Sequence, residues 1–219
     1  MYLFSCILQG IHLFRREVGM EIKEFEKQLY ASISLAAQER HAALRALHTT
    51  VLESYLAALA AITPERAAQA VSETDPRTIS QLVGHIAAWE QFAIQAAGQI
   101  LGGVSRPRIV TGLDGFADAD GRLLNFADID EFNARSTRLY ADWAWEDVRA
   151  LAIDTAQTFH ILFTHPNLLT AEKLEATDQD YRRAENGEMV PGLRMGWSLW
   201  LIFLSHPISE HGQVLGMRA

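Results

Sequence analysis

A chain of 219 residues, 49% of them hydrophobic, has room for one sizeable core, and six prolines with 14 glycines are too few for a low-complexity or disordered protein. The 27 acidic and 19 basic side chains leave a formal net charge of −8; with no Lys/Arg cluster longer than a pair, such a surface repels phosphate backbones and argues against nucleic acid as a partner. The one cysteine, Cys6, excludes an internal disulfide framework and a cysteine-based zinc knuckle, and it fits a reducing, cytoplasmic setting.

Residues 1–36 read as an N-terminal extension. The opening run MYLFSCILQGIHLF is largely apolar and is followed by Arg15-Arg16. A signal peptide carries its positive charge before the apolar stretch. A membrane span needs roughly 20 apolar residues, and this run is shorter and broken by Gln9, Gly10 and His12. The expectation is a docked helix or a true start at Met20, with a membrane anchor the less favoured alternative. From Ile22 to Leu35 the pattern is weakly helical.

Residues 37–219 read as the domain proper. Leu44, Leu47, Val51, Tyr55, Leu59 and Ile62 make one apolar stripe on a helix from Ala37 to Ala61. Thr63-Pro64-Glu65 is an N-cap followed by proline at the first helical position, so a short helix follows. Thr78-Ile-Ser-Gln81 is a capping box that opens a second long helix after the break at Asp75-Pro76. Its stripe is Ile79, Leu82, Ile86, Trp89, Ala93 and Ile100, and Gly102-Gly103 ends it.

Residues 103–127, with Pro107, Gly112, Gly115, Gly121 and several aspartates, read as a long loop. A third helical region starts in DIDEFNARSTRLY (128–140) and restarts or continues at Trp145-Glu146-Asp147 as far as His165-Pro166. Thr170-Ala-Glu-Lys173 starts another short helix. Residues 177–192, with Asn186-Gly187 and Pro191-Gly192, read as a second long loop. The last helix is expected from Leu193 to Met217, and its centre, WSLWLIFL (197–204), is apolar nearly all round, as in a helix buried on most faces. With no strand alternation of length and no internal repeat, the fold class is all-α: four substantial helices with two long connections, consistent with a four-helix bundle.

Three positions offer chemistry. His85 sits on the flank of the buried stripe of the second long helix, about 40° from Trp89; taken alone, it reads as a core or boundary histidine. His206 and Glu210 are four residues apart, so their side chains share one face of a helix about 40° apart and can grip one ion. Imidazole and carboxylate are both ordinary ligands for zinc, iron, manganese or nickel. His211 competes with Glu210. On an ideal helix it points about 140° from His206, which favours Glu210, but Pro207 can kink the helix and turn His211 inward. Trp89, Trp197 and Trp200 are candidate pocket walls and read equally as plain core. His48, His160 and His165 read as structural or exposed. The chain lacks H-E-x-x-H, a nucleophile elbow, a phosphate-cradling glycine loop and any Cys–His pair.

Two stretches resemble the DinB-like superfamily. TISQLVGHIAAWE (78–90) is similar to the start of that family's second helix, where a histidine is the first metal ligand. HPISEHGQV (206–214) resembles its last-helix motif, H-x-x-x-H-x-x-Q/H-I/V. DEFNA (130–134), followed by WEDV (145–148), leans toward the ClbS/DfsB branch. The resemblance covers roughly residues 40–217 and implies a DinB-like four-helix bundle. It places the first ligand on His85, the second on His206 and, through Gln213-Val214, the third on Glu210, where the family usually has histidine. It also implies a divalent ion, a small-molecule substrate and, in some relatives, a low-molecular-weight thiol.

Three functions are therefore weighed. The first is a metal-dependent enzyme acting on a small reactive or electrophilic molecule by hydrolysis or thiol transfer, in stress response or detoxification. The second is a non-catalytic small-molecule-binding bundle with no functional metal. The third is an interaction module, a homodimer through a helical face.

Overall fold

The computed structural model describes residues 20–107, 115–183 and 188–217. The expectation for residues 1–19 lies outside the described residues. The described residues are mostly helical, with two small strand pairs among them.

Helix α1 (Met20–Ser32) buries Ile22, Phe25, Leu29 and Ser32 along one side and packs against α2 and the turn that follows the last long helix. Ile22, Phe25 and Leu29 belong to the same apolar core as the long helices. Helix α2 (Ala37–Ala61) has the expected bounds, and its buried stripe also takes in His41 and His48. The short α3 (Pro64–Ala67) has Thr63 as its cap, the side chain accepting from the Arg66 N–H.

Helix α4 (Ile79–Leu101) opens with both halves of the capping box: Gln81 N donates to Thr78 Oγ1 at 3.1 Å, and Thr78 N donates to Gln81 Oε1 at 2.9 Å. It stops where Gly103 takes a left-handed φ of +85°. This helix is the centre of the molecule and packs on α5 (Ile129–Leu139), α6 (Trp145–Thr164) and the last long helix, α8 (Met195–Ser205). Helix α5 is capped by Asp128, whose side chain accepts from the Glu131 N–H. Helix α7 (Ala171–Glu175) is capped by Thr170 and packs on α8 and α2. Every residue of α8 is buried, as its all-round apolar sequence requires.

Two expected loops contain strands. β1 (Phe116–Ala117) pairs with β2 (Leu123–Leu124), and Gln95 of α4 ties β1 down by bonding both the N–H and the C=O of Ala117. β3 (Gln179–Arg183) pairs antiparallel with β4 (Met189–Arg194) across a register shift near Gln179/Tyr181. Neither pair alternates apolar with polar residues, because β1 and β2 are only two residues long and the second hairpin lies largely at the surface with a proline in one strand. Strand β4 delays the last helix from Leu193 to Met195.

Close packing at the start of α8 depends on Gly196. A Cβ there would stand 2.9 Å from Leu174 Cδ2 and 3.2 Å from Leu174 Cα. Among the described residues, no helix is long and apolar enough to cross a membrane.

Candidate metal centre

The last long helix does not run on as an α-helix to Met217. At His206–Glu210 it widens into one π turn, then tightens again as α9 (Gly212–Leu215). The physical cause is Pro207. It has no N–H for the carbonyl one turn back, and its ring collides with that carbonyl in an α-helix. A π turn pairs residue i with i+5 rather than i+4, so His211 comes to lie over His206.

The result is a cluster of three histidines whose ligand atoms all lie within 4.8 Å of one another: His85, His206 and His211. Nε2 of His206 and Nε2 of His211 are 3.3 Å apart. The ring of His85 is 5.5 Å from that of His206 and 5.8 Å from that of His211, centre to centre. Glu210 stands beside the cluster, its Oε2 3.8 Å from His206 Nε2. The preference for Glu210 as third ligand assumes an ideal α-helix, and the π turn replaces that geometry. His211 is the residue that closes the group of three.

Helix α5 orients the first histidine. Ser136 Oγ lies 2.9 Å from His85 Nδ1 and donates its own hydrogen to the Asn133 carbonyl at 3.1 Å. Ser136 therefore accepts the Nδ1 hydrogen, and the lone pair of His85 is left on Nε2. Asn133 Oδ1 accepts from the Trp89 indole N–H at 3.1 Å. One turn of α5 thus sets both His85 and the ring beside it. Ser136 and Asn133 escape a search for chemical motifs. The trace they leave in sequence is a serine four residues after the buried Phe132, on the inner stripe of a short amphipathic helix. His206 Nδ1 is buried and has no hydrogen-bond partner among the described residues, so packing and the π turn hold that ring.

All three imidazoles are held neutral. Burial is the main cause, pushing His85 down to about 3 and His211 down to about 4 and holding His206 well below its ordinary range. The positive charge of Arg77 adds to this at all three, and at His85 and His206 a proton on a neighbouring ring would oppose a second one. Arg77 is paired with Asp75, its Nη2 2.6 Å from Oδ2. Neutral imidazoles present lone pairs, so the three side chains can hold a metal ion. Burial also raises the Glu210 carboxyl, to about 7.

Of the three tryptophans expected as pocket walls, Trp89 borders this cluster, its ring 6.4 Å from His85 and 6.3 Å from His206. Trp197 and Trp200 stack on each other and serve other partners: Trp197 donates to Glu175 Oε1 at 2.7 Å and Trp200 to His48 Nδ1 at 3.1 Å. His48 is buried against Phe159 and His160. His160 Nε2 meets the Thr49 hydroxyl, and His165 Nδ1 accepts from the Asn167 N–H.

No family model, no curated protein and no solved structure matches the chain.

Proposed function

We propose that this chain is a metal-dependent enzyme of the DinB-like type, a four-helix bundle in which His85, His206 and His211 hold one divalent ion, and that it acts on a small reactive or electrophilic molecule in the cytoplasm. The reaction class is hydrolysis or thiol transfer, in a stress or detoxification role. What supports the metal reading is one distance, the 3.3 Å between His206 Nε2 and His211 Nε2. Two nitrogens bound at about 2.05 Å to one zinc ion, at the tetrahedral angle, stand about 3.3 Å apart. Nickel, iron and manganese accept the same donors. What supports the family reading is that the two stretches quoted for it contribute to a single site, although one lies on α4 and the other at the end of the chain.

Three protein ligands leave a position free, as in catalytic rather than structural zinc sites. A divalent ion held there supplies Lewis acidity, and on zinc it lowers the pKa of bound water toward about 7. The chain's own residues do the rest. Ser136 fixes the tautomer of His85. Trp89, packed against Phe132 and Phe203, keeps water from one side of the cluster. Glu210 can hold a proton at Oε2 beside His206.

Elemental analysis of protein purified from metal-replete medium tests the reading. The wild type is expected to carry one equivalent of a divalent transition ion. His85→Ala and His211→Ala are expected to lose it, and Glu210→Gln to keep it, all with unchanged helical circular dichroism. A folded wild type that takes up no such ion ends the proposal.

A further inference from the structure

Beside Pro207, the chain neighbour of His206, α2, α4, α6 and α8 border a second place with polar side chains. It is a small cavity of about 10 Å³ for the centre of a water molecule, walled in part by His48, Tyr55, Glu90, Phe203 and Pro207. That size suits one water, provided polar partners converge on it.

They do. Tyr55 is 1% exposed, and its hydroxyl is buried with no hydrogen-bond partner among the described residues. Glu90 is 4% exposed and lies on the same helix as His85. A buried hydroxyl and a buried carboxyl on one small cavity are the situation in which an internal water completes the bonding.

The charge state of Glu90 follows from its surroundings. Thr155 Oγ1 lies 2.7 Å from Glu90 Oε2 and 3.2 Å from the carbonyl of Ala152 in its own helix. A threonine hydroxyl has a single hydrogen. It goes to Glu90 Oε2, the shorter of the two contacts. His48 is neutral, because its Nδ1 accepts from the Trp200 indole, which can only donate. No cation lines the cavity to balance an ionised carboxylate.

We propose that this cavity is a built site for a single internal water, bound between the Tyr55 hydroxyl and the uncharged carboxyl of Glu90, so that α2, α4 and α6 are joined by the chain Tyr55–water–Glu90–Thr155. The proposal does not rest on the metal reading. Burial acts in the same direction, pushing the Glu90 carboxyl up to about 8 against the smaller lowering effect of the Thr155 contact. The titratable groups that face Glu90 are Tyr55 and His48 on α2, with His160 of α6 behind His48. Helix α8 offers only Phe203 and Leu204.

Two measurements on the full chain test it. A high-resolution crystal structure is expected to show one ordered water within hydrogen-bond distance of both Tyr55 Oη and a Glu90 carboxyl oxygen, lost in Tyr55→Phe. A dry cavity, or a direct Tyr55–Glu90 bond, overturns the proposal. Infrared difference spectra of wild type against Glu90→Gln are expected to contain the band of a protonated carboxyl at pH 6, and that band is expected to disappear as the pH is raised past about 8. Absence of the band at pH 6 in folded protein overturns the assignment of the charge state. Glu90→Gln keeps the shape and a donor, so it reports on the proton rather than on loss of the fold.

Discussion

Nε2 of His206 and Nε2 of His211 stand 3.3 Å apart across a single π turn. They are five positions apart in sequence, a spacing that an α-helix splays by about 140°. Pro207 sits at the second position of that turn and is the one residue in it that cannot donate to the preceding carbonyl.

Replacing Pro207 by alanine restores a backbone donor and removes the ring clash, so the helix can return to α geometry and carry His211 away from His206. The expected outcome is a loss of metal affinity of about 10–100-fold, the range for changes that disorient ligands without removing them. Competition with a chromogenic chelator measures it. Unchanged affinity would mean that the π turn does not depend on the proline.

Ser136→Ala leaves the His85 Nδ1 hydrogen without its acceptor in a buried place. Stability is expected to fall by about 1–3 kcal/mol, read by urea denaturation. Metal affinity is expected to fall by about 10–100-fold as the ring loses its fixed tautomer. Ser136→Thr keeps the hydroxyl and is expected to restore most of the affinity; if both variants bind metal like wild type, Ser136 orients nothing.

Glu90 gives the fold a pH dependence of defined sign. Its native carboxyl is raised by burial to about 8, above the roughly 4.3 of an unfolded glutamate. The unfolded chain therefore releases the proton first. The contribution of Glu90 is fully present below about pH 4.3 and is lost as the pH rises through about 8. Glu90→Gln cannot ionise, so denaturation curves from pH 4 to 9 are expected to show the variant gaining on the wild type as the pH rises. Parallel profiles would show that the carboxyl is not buried as described.

At Gly196 the test is steric. A Cβ there meets Leu174 Cδ2 at 2.9 Å and Leu174 Cα at 3.2 Å. The side-chain end can swing aside, but the backbone atom cannot without shifting α7. Gly196→Ala is expected to cost about 1–3 kcal/mol, measured by thermal or urea unfolding. A neutral or stabilising result would show that α7 and α8 are free to move apart.

Local features were legible to within a residue or two. The bounds of α2, the capping box of α4 and the caps of α3 and α7 depend on side chains three or four positions away in the chain. The buried stripes of α2 and α4 follow from helical periodicity for the same reason. At the site, His85 and His206 were identified from their settings, and both lie in the histidine cluster. The preference for Glu210 over His211 came from ideal helix geometry, which Pro207 overrides, and from the position that the resemblance gives to the third ligand. Ser136 and Asn133 were missed because nothing in α5 itself states that it faces His85 and Trp89.

The sequence by itself determined where the long helices run and which sides of them are apolar, because caps, periodicity and proline stops act over one or two turns of chain. Tertiary structure alone decided that His85 meets His206 and His211, that α5 supplies the acceptor for His85, and that Glu90 and Tyr55 share one cavity. Those meetings join helices far apart in sequence. They are set by how whole apolar faces pack together, a property that no short window of residues contains.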